Sequence, residues 1–386
     1  MVVEPELIET LSDLEFLGKQ LDREKALGVD IEADSLHHYF PKVCLIQIST
    51  DQNTFVIDPL AIQTIDPLRP LLGNDKIKKI FHGADYDLRS LFRDFSIEVK
   101  NLFDTMVASQ FIGEKELGLA ALLNRRFGIL LDKKYQRANW AKRPLSRDML
   151  LYAAHDTAHL IRLYHELEQE LRSKERLSWL VEECKLLSVE CTLGKNNGKA
   201  QPGNTPMFKR FKGAGKMGPR DLAILENLLL FRERKAMQED RPPFRIFATH
   251  VIKELVRRKP ADYAELRKVP GLSANFMKQY AGGALKAIRS GLEIPADRLP
   301  SFPKRRRPPL PPDPKKKARL KLLKAWREEK SGQLAIEPGL ACNNALLSVL
   351  AEAHPKNQDE LKTIPGMKNW QRNAFGQEII DVLQEI

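Results

Sequence analysis

Long apolar runs are missing from this chain of 386 residues, and cysteine is used only four times. No stretch approaches the roughly 18 apolar residues that a helix needs to cross a bilayer, so no membrane span is expected. The opening Met1-Val2-Val3-Glu4-Pro5-Glu6 is acidic and lacks the basic, then apolar, pattern of a secretory leader. Cys44, Cys184, Cys191 and Cys342 are scattered and form no C-x-x-C. That argues against a zinc cage or disulfide framework and fits a reducing cytoplasm. Acids are the scarcer charge: 51 Asp and Glu against 63 Lys and Arg leave a formal +12. Such a balance favours a polyanionic partner. Hydrophobic residues, at 42%, suffice for ordinary cores, and the length predicts two or three domains.

Up to about residue 175, apolar strands alternate with amphipathic helices. The pattern predicts a helix at Leu11–Leu21, then strands at Leu27–Ala33, Val43–Ser49 and Thr54–Ile57 joined as an antiparallel meander. Helical spacing at Ile65–Leu72, Tyr86–Phe95 and Leu117–Phe127 alternates with short apolar strands at Ile77–His82 and Val99–Phe103. Ser146 is placed to cap a long helix reaching Leu171. Three antiparallel strands followed by helix–strand units predict a mixed sheet with helices on its faces.

Glycine and lysine break the periodicity between Gly194 and Gly218, which reads as a basic connecting loop at 196–217. The remainder is helical and repeats itself. Phe231-Arg232-Glu233 matches Trp326-Arg327-Glu328 at a displacement of 326 − 231 = 95. The same displacement carries Pro243 onto Pro338, Pro260 onto Pro355, and Val269-Pro270-Gly271 onto Ile364-Pro365-Gly366. Two copies of one small helical domain are expected at 218–292 and 317–386, after a first domain at 1–195. Between the copies, 293–316 is rich in proline and basic residues and reads as a semi-rigid spacer.

Charge in an apolar strand is the feature that points to chemistry. In Leu27–Ala33 alternate side chains share a face, so Asp30 and Glu32 point one way and Val29 and Ile31 the other. Two neighbouring carboxylates on such a strand persist only if paired, protonated or bound to a cation. Asp85 and Asp87 follow a strand at the start of a helix; Asp85 is expected to cap it, and Asp87 to sit on its first turn. Tyr152 and Asp156, four apart in a helical stretch, stack on one face. His155 and His159 have the H-x-x-x-H spacing of a zinc helix, but no third ligand accompanies them. His37 and His38 read as loop residues beside the first acidic strand, within reach of a substrate.

The ordered set Asp30-x-Glu32, Asp87 after His82-Gly83-Ala84, and Tyr152-x-x-x-Asp156 resembles the three motifs of the DEDD exonuclease superfamily, tyrosine subclass. The helical repeats, each with a (W/F)-R-E start and a late Pro-Gly turn, resemble HRDC domains, and the whole arrangement resembles the ribonuclease D family. The resemblance implies an α/β RNase H-like exonuclease domain followed by two all-α HRDC-like domains. It implies two divalent cations, Mg²⁺ or Mn²⁺, held by Asp30, Glu32, Asp87 and Asp156, with Tyr152 positioning the attacking water. The activity it implies is 3′–5′ exoribonuclease action releasing 5′-mononucleotides from tRNA precursors and other small structured RNAs, by a cytoplasmic monomer with no membrane partner. Nucleic-acid contacts are expected from His82, Gln47, Lys304, Arg305, Arg306, Arg307, Gly271 and Gly366. A 3′–5′ DNA exonuclease with the same cage is the alternative, as is a nucleic-acid binder whose acid site is vestigial. The glycine- and lysine-rich loop and the Pro-rich linker have no counterpart in the resemblance.

Overall fold

The computed structural model describes residues 4–62, 64–193, 205–302 and 314–385. They divide into two compact units. One comprises Met1–Ala33, Val43–Asn197 and Pro309–Ile386; the other comprises Asp34–Lys42 and Gly198–Pro308.

The first unit opens with β1 (Glu6–Ile8), α1 (Leu11–Leu21), β2 (Ala26–Ala33), β3 (Val43–Ser49) and β4 (Thr54–Ile57). There follow α2 (Leu68–Leu72), β5 (Lys78–Phe81), α3 (Asp85–Phe95), β6 (Leu102–Asp104), α4 (Thr105–Ile112) and α5 (Leu119–Phe127). The strands form one mixed sheet in the order β1-β4-β3-β2-β5-β6. β2, β3 and β4 pair antiparallel, whereas β5 and β6 continue the sheet parallel to β2. Every residue of β3 is buried, as suits a strand covered on both faces. β1 is an edge strand of three residues, too short for periodicity to announce it.

α6 (Arg147–His155), α7 (Leu160–Ser173) and α8 (Leu177–Thr192) complete the layer. The Ser146 hydroxyl does accept the Met149 N–H, but the long helix expected from it is interrupted at Asp156–His159. The cause lies in the sheet. Thr157 is fully buried, with its Oγ1 2.7 Å from Ser49 Oγ, and a Cβ on Gly28 would lie 2.9 Å from the Thr157 carbonyl oxygen. The chain drops onto β2 there because Gly28 leaves room for it.

The first unit also holds the second helical repeat: α15 (Pro314–Leu334), α16 (Pro338–Ala341), α17 (Asn344–Ala353), α18 (Gln358–Lys362) and α19 (Asn369–Gln384), numbered after the helices of the other unit. It packs on α8 through stacked Trp179 and Trp370, 4.8 Å between ring centroids, with Phe111 and Phe375 edge-on. Glu182 accepts the N–H groups of Asn369 and Trp370 at 2.8 and 2.7 Å, and Glu183 pairs with Lys368 at 2.6 Å.

The second unit contains α9 (Pro219–Gln238), α10 (Pro243–Ile246), α11 (Thr249–Arg258), α12 (Tyr263–Arg267), α13 (Ala274–Gln279) and α14 (Ala281–Glu293). Starts of α10, α11, α12 and α13 recur 95 residues later at α16, α17, α18 and α19 (for example 338 − 243 = 95). The conserved-in-repeat arginine has a structural role: Arg232 donates to the carbonyl of Phe247 and Arg327 to that of Cys342. Part of the expected connecting loop is folded into this unit. Phe208 is buried in its core, and Glu226 accepts the N–H groups of Met207 and Phe208 at 2.9 and 2.8 Å. His38 and Tyr39 are likewise tied down within the unit: Asp240 lies 2.7 Å from His38 Nδ1 and accepts the Tyr39 N–H at 3.0 Å.

Candidate active site

Strand alternation sends Val29 and Ile31 into the core and leaves Asp30 and Glu32 on the opposite, partly open face. The β2–β3 register shifts between Glu32 and Ala33, a bulge of the kind that re-aims a side chain at the end of a strand. Asp87 is delivered by the tight turn at Gly83, whose φ of +74° suits glycine. The buried carboxylate of Asp104 fixes that turn, accepting the N–H groups of Gly83, Ala84 and Met106 at 2.9, 2.8 and 2.8 Å. Asp85 does not cap α3, as the sequence suggested. It is the first helical residue and pairs with Arg89 at 2.8 Å, because Asp104 already serves the turn. Asp156 closes α6 at the break described above.

Carboxylate oxygens of Asp30, Glu32 and Asp156 lie within 4.8 Å of one another. Asp87 is 7% exposed and stands close enough to Asp30 for the negative charge of each to be felt. Burial holds the carboxyls of Asp30, Glu32 and Asp87 well above the ordinary range, and the neighbouring acids push in the same direction. Burial lifts Asp156 to about 7. Asp30, Glu32 and Asp156 thus form one cluster with Asp87 beside it, and among the described residues no Lys or Arg charge offsets the four. The donors are all hard oxygens, which fits Mg²⁺ or Mn²⁺ better than zinc.

A cavity of about 410 Å³ opens over the acids, walled by Tyr152, His82, the start of α5 at Gly118–Ala121, and Leu131, Lys133 and Gln136. Tyr152 is wedged against Tyr135 and Trp140, with ring centroids 5.8 and 6.0 Å away. Burial, then the charges of Asp156, Glu32 and Asp30, raise its phenol far above the usual value. The loop carrying Trp140 is pinned by Arg143, which grips buried Asp58 with two bonds of 2.6 and 2.7 Å.

Residues 5–172 match the 3′–5′ exonuclease family, and residues 221–288 and 316–383 each match the HRDC domain. A ribonuclease D of Bartonella henselae is 30% identical over 382 residues, 98% of this chain and 90% of the relative. The chain belongs to the ribonuclease D family. It is a hydrolase, a 3′–5′ exoribonuclease. The crystal structure of Escherichia coli RNase D, an exoribonuclease involved in structured RNA processing, shares the fold, with TM-score 0.71 and 24% identity over 99% of both chains. The catalytic core of RRP6 from Trypanosoma brucei gives TM-score 0.61 at 27% identity, over 75% of this chain and 80% of that one.

Other expected contacts of this ribonuclease D family member fall out unevenly. His82 stands on the cavity wall, its Nδ1 2.9 Å from Thr105 Oγ1, and burial lowers its pKa. Gln47 is no surface contact, because β3 is a central strand and Gln47 is 0% exposed. Gly271 and Gly366 both adopt positive φ in their turns, +83° and +81°. After Gly366, however, the α19 N–H groups that would meet a phosphate already bind Glu182. Lys304, Arg305, Arg306 and Arg307 lie outside the described residues. His155 and His159 stack at 6.5 Å and join no metal-ligand group among the described residues. Sequence reasoning gave Asp104 and the predicted helix at Leu117–Phe127 no role in the site. An Asp-Thr pair opening a helix, and a glycine before Leu119-Ala120-Ala121-Leu122, were the available signals.

Proposed function

We propose that this exoribonuclease trims the 3′ ends of tRNA precursors and other small structured RNAs in the cytoplasm, as a monomer, releasing 5′-mononucleotides. Two divalent ions would be held by Asp30, Glu32, Asp87 and Asp156. One observation carries this reading: acids separated by more than a hundred residues cluster at β2, and among the described residues no Lys or Arg charge offsets them. No helix among the described residues is long and apolar enough to cross a membrane.

When bound there, paired Mg²⁺ or Mn²⁺ ions supply charge neutralisation at the phosphoryl group, an acidified water and support for the leaving oxygen. Asp30 belongs to the cluster with Glu32 and Asp156 and is the largest charge influence on Asp87, so it is the acid suited to serve both positions. Tyr152 keeps its proton across the working pH range and therefore orients the attacking water rather than deprotonating it. Tyr135 and Trp140 hold its ring, and the α5 wall encloses the terminal nucleotide. Exonuclease domain 1–195 and helical domains 218–292 and 317–386 divide the work in this reading. The Gly271 turn and the run Lys304–Arg307 hold the RNA body, and the 3′ tail reaches the acids.

A tRNA transcript with extra 3′ nucleotides tests the substrate. With Mn²⁺ or Mg²⁺ it should be shortened to the mature end, faster than a DNA oligomer of matched 3′ sequence. Equal or faster DNA digestion would replace this reading with a DNA exonuclease.

A further inference from the structure

Gln47 carries a liability that the fold does not explain. It occupies the middle of β3, is 0% exposed, and neither Oε1 nor Nε2 meets a hydrogen-bond partner. An unsatisfied buried polar group loses its hydration with nothing in return, a cost to the fold. On the same face, Leu45 and Val56 are fully buried hydrocarbons in a cluster with Ala153 and Ala154 of α6, and the hydroxyl of buried Ser49 is already shared with Thr54 and Thr157. An aliphatic side chain would fill this position without penalty.

The register identifies what the carboxamide faces. Gln47 lies directly opposite Asp30 on β2 and opposite Val56 on β4. Directly opposed residues in an antiparallel pair present their side chains on one face, with Cβ atoms about 4.5–5.5 Å apart. Val56 has nothing to offer an amide. Asp30 has a carboxylate, and it lines the cavity.

We propose that Gln47 is a positioning residue, its carboxamide N–H donating to the Asp30 carboxylate so that the remaining lone pairs of Asp30 are directed at the divalent ions. The inference rests on the ion-binding reading above and deepens it. Partners of this kind behind a metal ligand are worth about 10- to 100-fold in metal affinity or activity. Gln47 bonds to no partner in the structure, so the proposed bond requires its amide to turn toward Asp30.

The test uses the full chain and two apolar replacements, Gln47→Met and Gln47→Leu, with three measurements. Melting temperature without divalent ions should be unchanged or higher, since an unsatisfied amide is removed. Mn²⁺ affinity by titration calorimetry should fall about 10- to 100-fold. With an RNA oligomer, kcat should fall while KM stays within about twofold, because Gln47 touches no nucleotide. Mn²⁺ affinity within twofold of wild type, in whichever variant folds, overturns the proposal, and so does a lowered melting temperature with unchanged affinity. Should wild type bind no Mn²⁺, the ion-binding reading fails first and takes this one with it. Wild-type binding with an unaltered variant removes Gln47 alone.

Discussion

At the scale of single residues, burial and mutual repulsion make the clustered acids an electrostatic cost to the fold. A carboxyl whose pKa is higher in the folded than in the unfolded chain binds more protons when folded, so its contribution to stability falls as pH rises. For Asp156 the window runs from the ordinary value of 3.8 to about 7. The ion-free Asp156→Asn variant should therefore melt above wild type, by a margin that grows as pH goes from 4 to 7; a pH-independent margin contradicts the shift. Saturating Mn²⁺ should reverse the order, since only wild type keeps the full ligand set. Asp58 and Arg143 make a second residue-level case. Asp58 is buried but Arg143 is 28% exposed and can regain water, so Asp58→Ala should lose about 1.5–3 kcal/mol, the worth of a hydrogen bond to a charged group, in chemical denaturation. It should also loosen the wall behind Tyr152. The acids were legible because charge is conspicuous on an apolar strand. The burial of Gln47 was not, because a lone polar residue in Leu45-Ile46-Gln47-Ile48 reads equally well as an exposed face.

At the scale of elements, the break between α6 and α7 sets the depth of Asp156. Nothing in the local sequence announces it: Tyr152 to Leu163 contains no Pro or Gly, and helical periodicity continues through it. The cause is tertiary, a Thr157–Ser49 hydroxyl contact over a glycine on another strand. Gly28→Ala would press its methyl against the Thr157 carbonyl and Leu160 Cβ, 2.9 and 3.2 Å away. Overpacking of this kind costs about 1–3 kcal/mol. A matching drop in stability with kcat reduced more than KM is altered is the expected result; wild-type kcat would show that the break does not place Asp156. The repeat was legible for the opposite reason. Its turns, prolines and buried arginines are dictated locally, and each is spelled twice.

At the scale of the whole molecule, the two helical repeats share a fold but fall in different compact units. The second belongs to the same compact unit as the exonuclease domain, and the N-terminus of α19 is occupied by Glu182. Sequence periodicity predicts each repeat but not which surface each one covers, and it gave no sign that Glu182 takes the first N–H groups of α19. Trp370→Ala should cost about 3–5 kcal/mol through the lost contacts with Trp179 and Phe111; an unchanged melting temperature would mean the docking is not built on them. The most direct test of the central claim is product sizing on 5′-labelled RNA. A ladder shortening one nucleotide at a time, with Mn²⁺ or Mg²⁺ only and absent in Asp30→Asn, is what four converging acids predict. Internal cuts, turnover in chelator, or undiminished turnover in Asp30→Asn would contradict it.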